Sequence, residues 1–413
     1  MANKNDVIDA NNFVDKRILL FSREDSFIYF VLKKSRLIKV VVEKTNAYNV
    51  SDVIMATITK KAMALGAYFC KLDKSTEAFL PFDEFVDKNP AMSLRVGDTI
   101  PVIIKKAAYD NKKALVSPLL ELASDYGVVR LGASNKPIAF SKKIEKVDRD
   151  RIIDGLQEEK ALLNEYGINV LIRSKCTRLD LALIKANIGS LINEFVAMIG
   201  KTKFALPFTK IASAKNFLYK AVLANDKENE PLKIICEDSY TYDFARSATK
   251  DIQESGVEII EYKDESIPLQ TLYGLKAKFD EITREKVMLP CGGYLFITPT
   301  PALVAIDVNA GKIDKKKNKE ETALLVNLEA ARAIAYHIEA RNLSGILIID
   351  FINMNKEENV TILTKSVKEL LMRLEREAKL VDITKLGLAE VTVEKKDGLL
   401  YENYQFINST ILM

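Results

Sequence analysis

Apolar and β-branched residues gather in short runs separated by proline, glycine and charge, and the spacing within each run predicts its structure. In ALVAIDVNAGK, residues 302–312, the run Leu303–Ile306 lies between Pro299 and Pro301 on one side and Gly311 on the other. It reads as a buried strand that ends in Asp307 and Asn309. GILIIDFINM, residues 345–354, is a second apolar run with a single acid, Asp350. Between them Leu324, Leu328, Ala331, Ala335 and Ile338 recur at alternating steps of four and three, which predicts an amphipathic helix. Glu320 and Glu321 mark its start; Arg341, Asn342 and Gly345 mark its end. Strand, helix, strand is a right-handed crossover, so the two strands are expected to be parallel and neighbouring. Asp307 and Asp350 should then stand at similar heights near the carboxyl ends, where open α/β sheets place ligands.

The rest of the chain is patterned differently. Residues Lys16 to Lys44 carry two β-rich runs, RILLFSREDSFIYFVL and LIKVVVEK, of the hairpin kind. From Val50, the segments Val53–Thr59, Gly66–Leu72, Ala78–Pro81 and Thr99–Ile104 are short strands spaced as in a small barrel. Tyr126 to about Gly200 is mixed α/β, with strands at Val128–Leu131 and Asn169–Ile172 and two amphipathic helices around them. Farther on, Leu232–Asp238 and Val257–Tyr262 read as strands flanking a helix at Tyr242–Gln253.

Length changes the picture first: 413 residues suggest two or three domains, and 48% hydrophobic content is enough to build their cores. With 61 basic and 57 acidic side chains the net charge is +4, so any nucleic-acid surface must arise from local clustering. Cys70, Cys176, Cys236 and Cys291 lie far apart, which excludes a zinc ribbon and a redox dithiol and fits a reducing cytoplasm. The start, MANKNDVIDANN, lacks the cationic and apolar regions of a secretory signal, and no apolar run of about 18 residues is expected. A soluble, cytoplasmic protein is the expectation.

An ionised carboxylate at the end of an apolar strand is costly unless something positive compensates it. Taken alone, Asp307 could cap the following loop or pair with a lysine. Paired with Asp350 it suits Mg²⁺, which is held by one or two carboxylates, waters and a substrate phosphate. Other chemistries fall away. Asn309-Ala310-Gly311-Lys312 is no P-loop, because position 306 is Ile, and the single histidine, His337, lies mid-helix without a triad around it. Glu237 and Asp238 read as strand-end caps. The lysines at 312, 315, 316, 317 and 319 are either a solvated loop or a guide for a phosphate backbone.

Ala305-Ile306-Asp307-Val308-Asn309, Glu320-Glu321-Thr322-Ala323 with Asn327-Leu328-Glu329-Ala330-Ala331, and Ile349-Asp350-Phe351-Ile352 occur in that order, preceded by Leu289-Pro290-Cys291-Gly292-Gly293-Tyr294. These residues resemble the catalytic core of the ribonuclease E/G family of bacterial endoribonucleases. The resemblance implies α/β and β mixed domains: an RNase H-like scaffold (1–46 and 201–280), an inserted OB-fold RNA-binding barrel (47–122), a 5′ sensor-like α/β domain (123–200) and a DNase-I-like catalytic domain (281–400), with a tail at 401–413. It further implies that Asp307 and Asp350 bind Mg²⁺, that Asn309 positions the reacting groups, and that products carry 5′-phosphate and 3′-hydroxyl ends.

By position in the family, Phe69, Phe79 and Lys112 form the RNA-facing pocket of the barrel. On pattern alone the two phenylalanines read as core. Arg173-Ser174 stands where the family has an Arg-Thr pair for the RNA 5′ monophosphate. The implied activity is cleavage of single-stranded RNA in rRNA processing or mRNA decay. Pro301 and Asn353 depart from the family pattern of Thr-Glu-Ala-Leu and Asp-Phe-Ile-Asp-Met, and they motivate the alternative of a non-catalytic RNA-binding protein on the same scaffold. The family joins subunits through a cysteine-held zinc, but no cysteine follows Leu386-Gly387-Leu388 before Met413, so a monomer or weak homodimer without zinc is expected.

Overall fold

The computed structural model describes residues 16–412 apart from 46, 86–93, 109–111, 125, 133–135, 226–230, 251, 253–255, 312–317, 385–386 and 396–399. The N-terminal MANKNDVIDANN stretch thus lies outside the described residues. The chain divides into two compact units, Asn46–Lys215 and a discontinuous one of Met1–Thr45 with Asn216–Met413.

In the Asn46–Lys215 unit, five strands close on themselves: Val53–Ala62, Ala67–Lys71, Glu77–Pro81, Thr99–Lys106 and Ala114–Ser117. Their order is first, second, third, fifth, fourth, and the fourth pairs back onto the first, so the barrel has no free edge. Alternation sends Ile54, Ala56, Ile58, Tyr68, Cys70, Leu80, Val102 and Ile104 into its interior. Lys210–Ala212 pairs antiparallel with Val53–Ala62. The unit therefore runs on to Lys215, past the boundary at 200 that the sequence pattern suggests.

A four-stranded sheet in the same unit orders Ile138–Phe140, Ile168–Ile172, Gly127–Leu131 and Glu121–Ala123. The helix Leu181–Thr202 shares its core through Ile184, Ile188, Leu191, Ile192 and Phe195. By length and composition this helix is apolar enough to cross a membrane, which corrects the expectation that no such run exists. Its apolar residues form a buried stripe, as in the core helix of a folded domain.

The discontinuous unit holds two sheets. In the first, Val257–Glu261, Leu232–Cys236, Lys16–Arg23, Ser26–Lys33 and Arg36–Lys44 are neighbours in that order, with Lys16–Arg23 parallel to Leu232–Cys236. The apolar run from Arg17 to Leu32 is thus two strands, split at Glu24, whose φ is 51°. The next turn places Lys34 at φ 48° and Ser35 at φ 66°, the type I′ geometry that matches hairpin twist. Neither turn contains glycine or asparagine, so the usual signal is missing from the sequence.

The second sheet orders Lys286–Met288, Tyr294–Pro299, Val304–Asn309, Gly345–Asp350, Leu388–Val393 and Ala378–Ile383. One of its faces packs on the helices Lys319–Ala340 and Glu357–Met372, where Leu295, Ile306, Leu347, Ile349 and Val391 meet Val326, Ile334, Val367 and Leu371. The long helix buries Ala323, Val326, Ala330, Ala331, Ile334, Ala335 and Ile338; of the expected stripe, Ala331, Ala335 and Ile338 are buried, while Leu324 and Leu328 are half-buried. The helix also meets the first sheet, where the Tyr336 hydroxyl donates to the Leu37 carbonyl at 2.6 Å.

On that helix His337 is buried and accepts a hydrogen bond from Arg341 Nε at 2.9 Å. Burial, reinforced by Arg341 and Arg36, pushes its pKa down to about 3. A histidine held neutral in the folded state contributes stability that is complete above the unfolded pKa, about 6.5, and is lost as pH falls from there toward 3. His337→Gln keeps an acceptor for Arg341 but cannot titrate. Its melting temperature is expected to drop less between pH 7 and pH 5 than that of the unmodified chain, and equal drops would exclude His337 as a source of acid sensitivity.

Candidate functional site

The face of the second sheet turned away from its helices carries the acids. Parallel register pairs Asp307 directly with Asp350, and the antiparallel ladder on the other side pairs Asp307 with Phe296 and Asn309 with Tyr294. Ile306 and Val308 point into the core, so Asp307 points out; Ile349 is buried and Asp350 is exposed. Two carboxylates therefore share one open face, one strand spacing of about 4.8 Å apart. The Asn309 Nδ2 donates to Asp307 Oδ2 at 2.7 Å, which fixes the amide beside the pair.

Close backbone approach explains why the strand can end there. Gly311 adopts φ +63°, and a Cβ on it would collide with the Gly292 carbonyl. On Gly293 a Cβ would stand 2.9 Å from Val326 and 3.0 Å from the Asn309 carbonyl oxygen. The Gly-Gly turn thus lets Tyr294–Pro299 lie tightly against the end of Val304–Asn309. The turn is also held by Glu329, which accepts from the Cys291 amide at 2.8 Å.

Beyond Asp350 the chain is held by two residues of the long helix. Asn327 is fully buried, donates from Nδ2 to the Ile352 carbonyl at 2.8 Å and accepts from the Ile352 amide at 2.9 Å. Glu320 accepts from the Lys356 amide at 2.9 Å, the Asn355 amide at 3.1 Å and Asn359 Nδ2 at 3.2 Å. The Lys356 and Asn355 amides hold its carboxyl below the usual range. These contacts make Glu320 and Asn327 the residues that position the loop behind Asp350, a role that helical periodicity does not reveal. Asn353 is exposed within that loop, and Pro301 lies before Val304, at the end of its strand opposite Asp307.

Asp307 and Asp350, with the Asn309 amide beside them, form a set of hard oxygen donors of the kind Mg²⁺ takes. Among the described residues no group of three or more His, Cys, Asp or Glu is placed to hold a metal. Lys312, Lys315, Lys316 and Lys317 lie outside the described residues, while Lys319 opens the long helix. Glu237 forms an ion pair with Arg23, its Oε1 accepting from Nη2 at 2.6 Å, and Asp238 caps the helix Ser239–Thr249 in a capping box with Thr241.

In the other unit, Phe69 and Phe79 are cross-strand partners on the outside of the barrel, with ring centroids 5.7 Å apart in an edge-to-face arrangement. Both are half-buried and neither belongs to the barrel core, so a core role is ruled out. The ammonium placed over Phe69, 5.9 Å from its centroid, belongs to Lys113, which also pairs with Glu77 at 2.8 Å. Lys112 is exposed and, like Lys113, precedes the strand Ala114–Ser117. Arg173 is exposed at the end of Ile168–Ile172, and its Nη1 donates to the Ser124 carbonyl at 2.9 Å. Ser174 begins the short 3₁₀ turn Ser174–Arg178 next to it.

A barrel with aromatics on its outer face and a carboxylate pair on an open sheet are features of nucleic-acid-processing proteins, and comparison with known proteins narrows that class. The chain belongs to the ribonuclease E/G family, whose family model matches residues 121–396. A chloroplastic ribonuclease E/G-like protein of Arabidopsis thaliana is 28% identical over 315 residues, 74% of this chain and 31% of the relative. Ribonuclease E of Synechocystis sp. is 22% identical over 392 residues, 88% of this chain and 55% of the relative. Ribonuclease G of Escherichia coli K12 is 26% identical over 311 residues, 75% of this chain and 62% of the relative. The chain thus spans between 31% and 62% of the length of these relatives. Asp307, Asn309, Asp350, Arg173 and Ser174 fall inside the matched region, whereas Phe69, Phe79 and Lys112 precede it.

Proposed function

We propose that this chain is an Mg²⁺-dependent endoribonuclease acting on single-stranded RNA, in rRNA processing or mRNA decay. The observation that carries the reading is the in-register pairing of Asp307 with Asp350 on an open face, with Asn309 bonded to Asp307. Asp307 and Asp350 hold the ion. Bound there, it supplies charge neutralisation at the attacked phosphate and lowers the pKa of water. Asn309 gives one N–H to Asp307 and keeps the second to orient a phosphate oxygen.

The domain names follow from the same reading. The barrel order, with its third and fifth strands parallel, supports an OB-fold, and the two sheets of the discontinuous unit support an RNase H-like scaffold and a DNase-I-like catalytic domain. On the barrel, Phe69 and Phe79 stack bases while Lys112 meets the backbone, with Lys113 next to it over the Phe69 ring. A reducing cytoplasm is the compartment this reading takes, from four cysteines far apart in the sequence. A metal titration of cleavage on an unstructured, 5′-monophosphorylated RNA tests the whole reading. Binding without cleavage at any Mg²⁺ concentration would favour the second reading, a non-catalytic RNA-binding protein, which Asn353 beside the site motivates.

Arg173 and Ser174 are read as the pocket for the RNA 5′ phosphate. The guanidinium is anchored through Nη1 and retains other N–H donors for a terminal phosphate. An RNA with a 5′ monophosphate is expected to be cut faster than the same RNA with a 5′ hydroxyl, and Arg173→Ala is expected to erase the difference. Equal rates for the two RNAs in the unmodified chain would remove this assignment and leave the catalytic one standing.

A further inference from the structure

We propose that Lys286, Tyr294 and Phe296 form a ledge that stacks the base next to the scissile phosphate of a single-stranded RNA, an inference that rests on reading the Asp307–Asp350 face as the place of cleavage. Residues opposite one another in an antiparallel ladder share a face. Phe296 is opposite Asp307, Tyr294 is opposite Asn309, and Lys286 is opposite Phe296. The aromatic rings therefore begin one strand away from the acids, with a Cβ separation of about 5 Å.

Alternation along Tyr294–Pro299 makes the choice of residues informative. Leu295 and Ile297 fill the core, and a sheet with one solvated face ordinarily places polar residues at the intervening positions. Here Thr298 follows that rule, but the two intervening positions nearest the acids are Tyr294 and Phe296, both half-buried and outside the core cluster. Their centroids are 5.7 Å apart at 84°, so the rings meet edge to face. Lys286 Nζ lies 3.9 Å from the Tyr294 centroid and 6.0 Å from that of Phe296. Two π faces and an exposed lysine beside the acid pair have the composition that grips single-stranded nucleic acid without reading its sequence: rings for bases, lysine for phosphate.

Two measurements test the ledge. In the first, an RNA carrying a single 4-thiouridine next to the cleavage position is irradiated with the full chain bearing Asp307→Asn, and the crosslinked peptide is mapped. Crosslinks are expected at Tyr294 or Phe296. In the second, Phe296→Ala and Tyr294→Ala are each expected to lower kcat/KM by about ten- to a hundredfold, the range that follows from loss of one stacked base. Phe296→Tyr should restore cleavage, and an RNA abasic at that nucleotide should show no further loss with Phe296→Ala. Crosslinks confined to the barrel, together with alanine variants that cleave within twofold of the unmodified chain, would overturn the ledge and leave the catalytic reading intact. Crosslinks at Tyr294 or Phe296 when the unmodified chain cleaves no RNA would sink the catalytic reading and with it the ledge's place beside a scissile phosphate, leaving the rings only as an RNA contact.

Discussion

Asp307→Asn and Asp350→Asn are each expected to slow RNA cleavage by about a hundredfold or more, because even partners one shell beyond a metal ligand cost on the order of 10–100-fold when changed. Each substitution removes a charge from the pair while leaving an acceptor oxygen in place. The Asn309 amide can still donate to residue 307, so the local geometry should survive. Folding stability without Mg²⁺ should hold or rise, since two carboxylates facing each other across one strand spacing repel. RNA affinity should change far less than the cleavage rate, because Phe69 and Phe79 belong to a different unit of the chain. Single-turnover cleavage, filter binding and thermal melting separate the three quantities. Wild-type cleavage by Asp307→Asn would refute the metal assignment outright.

Asn327→Ala is expected to be the most damaging change outside the acid pair. It deletes both hydrogen bonds to the Ile352 backbone and opens a small void in the core. A buried polar group left without its partner costs about 1–3 kcal/mol, so a loss of roughly 2–4 kcal/mol is expected from the two groups together. Cleavage should fall too, even where the variant is fully folded, because the released segment Phe351–Asn355 follows directly on Asp350. Glu320→Gln is a milder companion, since it keeps an oxygen for the Asn355 and Lys356 amides but loses the charge that strengthens those bonds. Urea unfolding together with single-turnover rates under folding conditions checks both. An Asn327→Ala chain that unfolds within about 0.5 kcal/mol of the unmodified one, a change typical of a neutral surface substitution, would show that the loop is held by something else.

Much of the acid pair was legible in the chain. The run Leu303–Ile306, the helical repeat and the run from Ile346 to Ile349 each carry their own periodicity, and the hand and shortness of crossovers left few ways to connect them. Periodicity still misplaced detail. It put Leu324 and Leu328 on the stripe with Ala331, Ala335 and Ile338, of which the last three are buried and the first two only half-buried, because a helix covered on two sides has no single apolar line. It ran two N-terminal strands together, because Glu24 takes positive φ without the glycine or asparagine that announces such a turn.

What the sequence by itself determined is what neighbours along the chain decide: the alternation that turns Asp307 outward, the helix between the two acids, and the short strands of the barrel. Only the tertiary structure decided which strangers along the chain became neighbours. Register set Asp307 beside Asp350 and Phe296 and brought Lys286 over Tyr294, and chain packing placed Lys113 over Phe69. Helix packing delivered Asn327 to Ile352 and Glu320 to Lys356. The physical reason is range. Local propensity acts over a few residues, whereas a hydrogen bond or a stacked ring depends on angstrom-scale distances that exist only once sheets and helices have closed against one another.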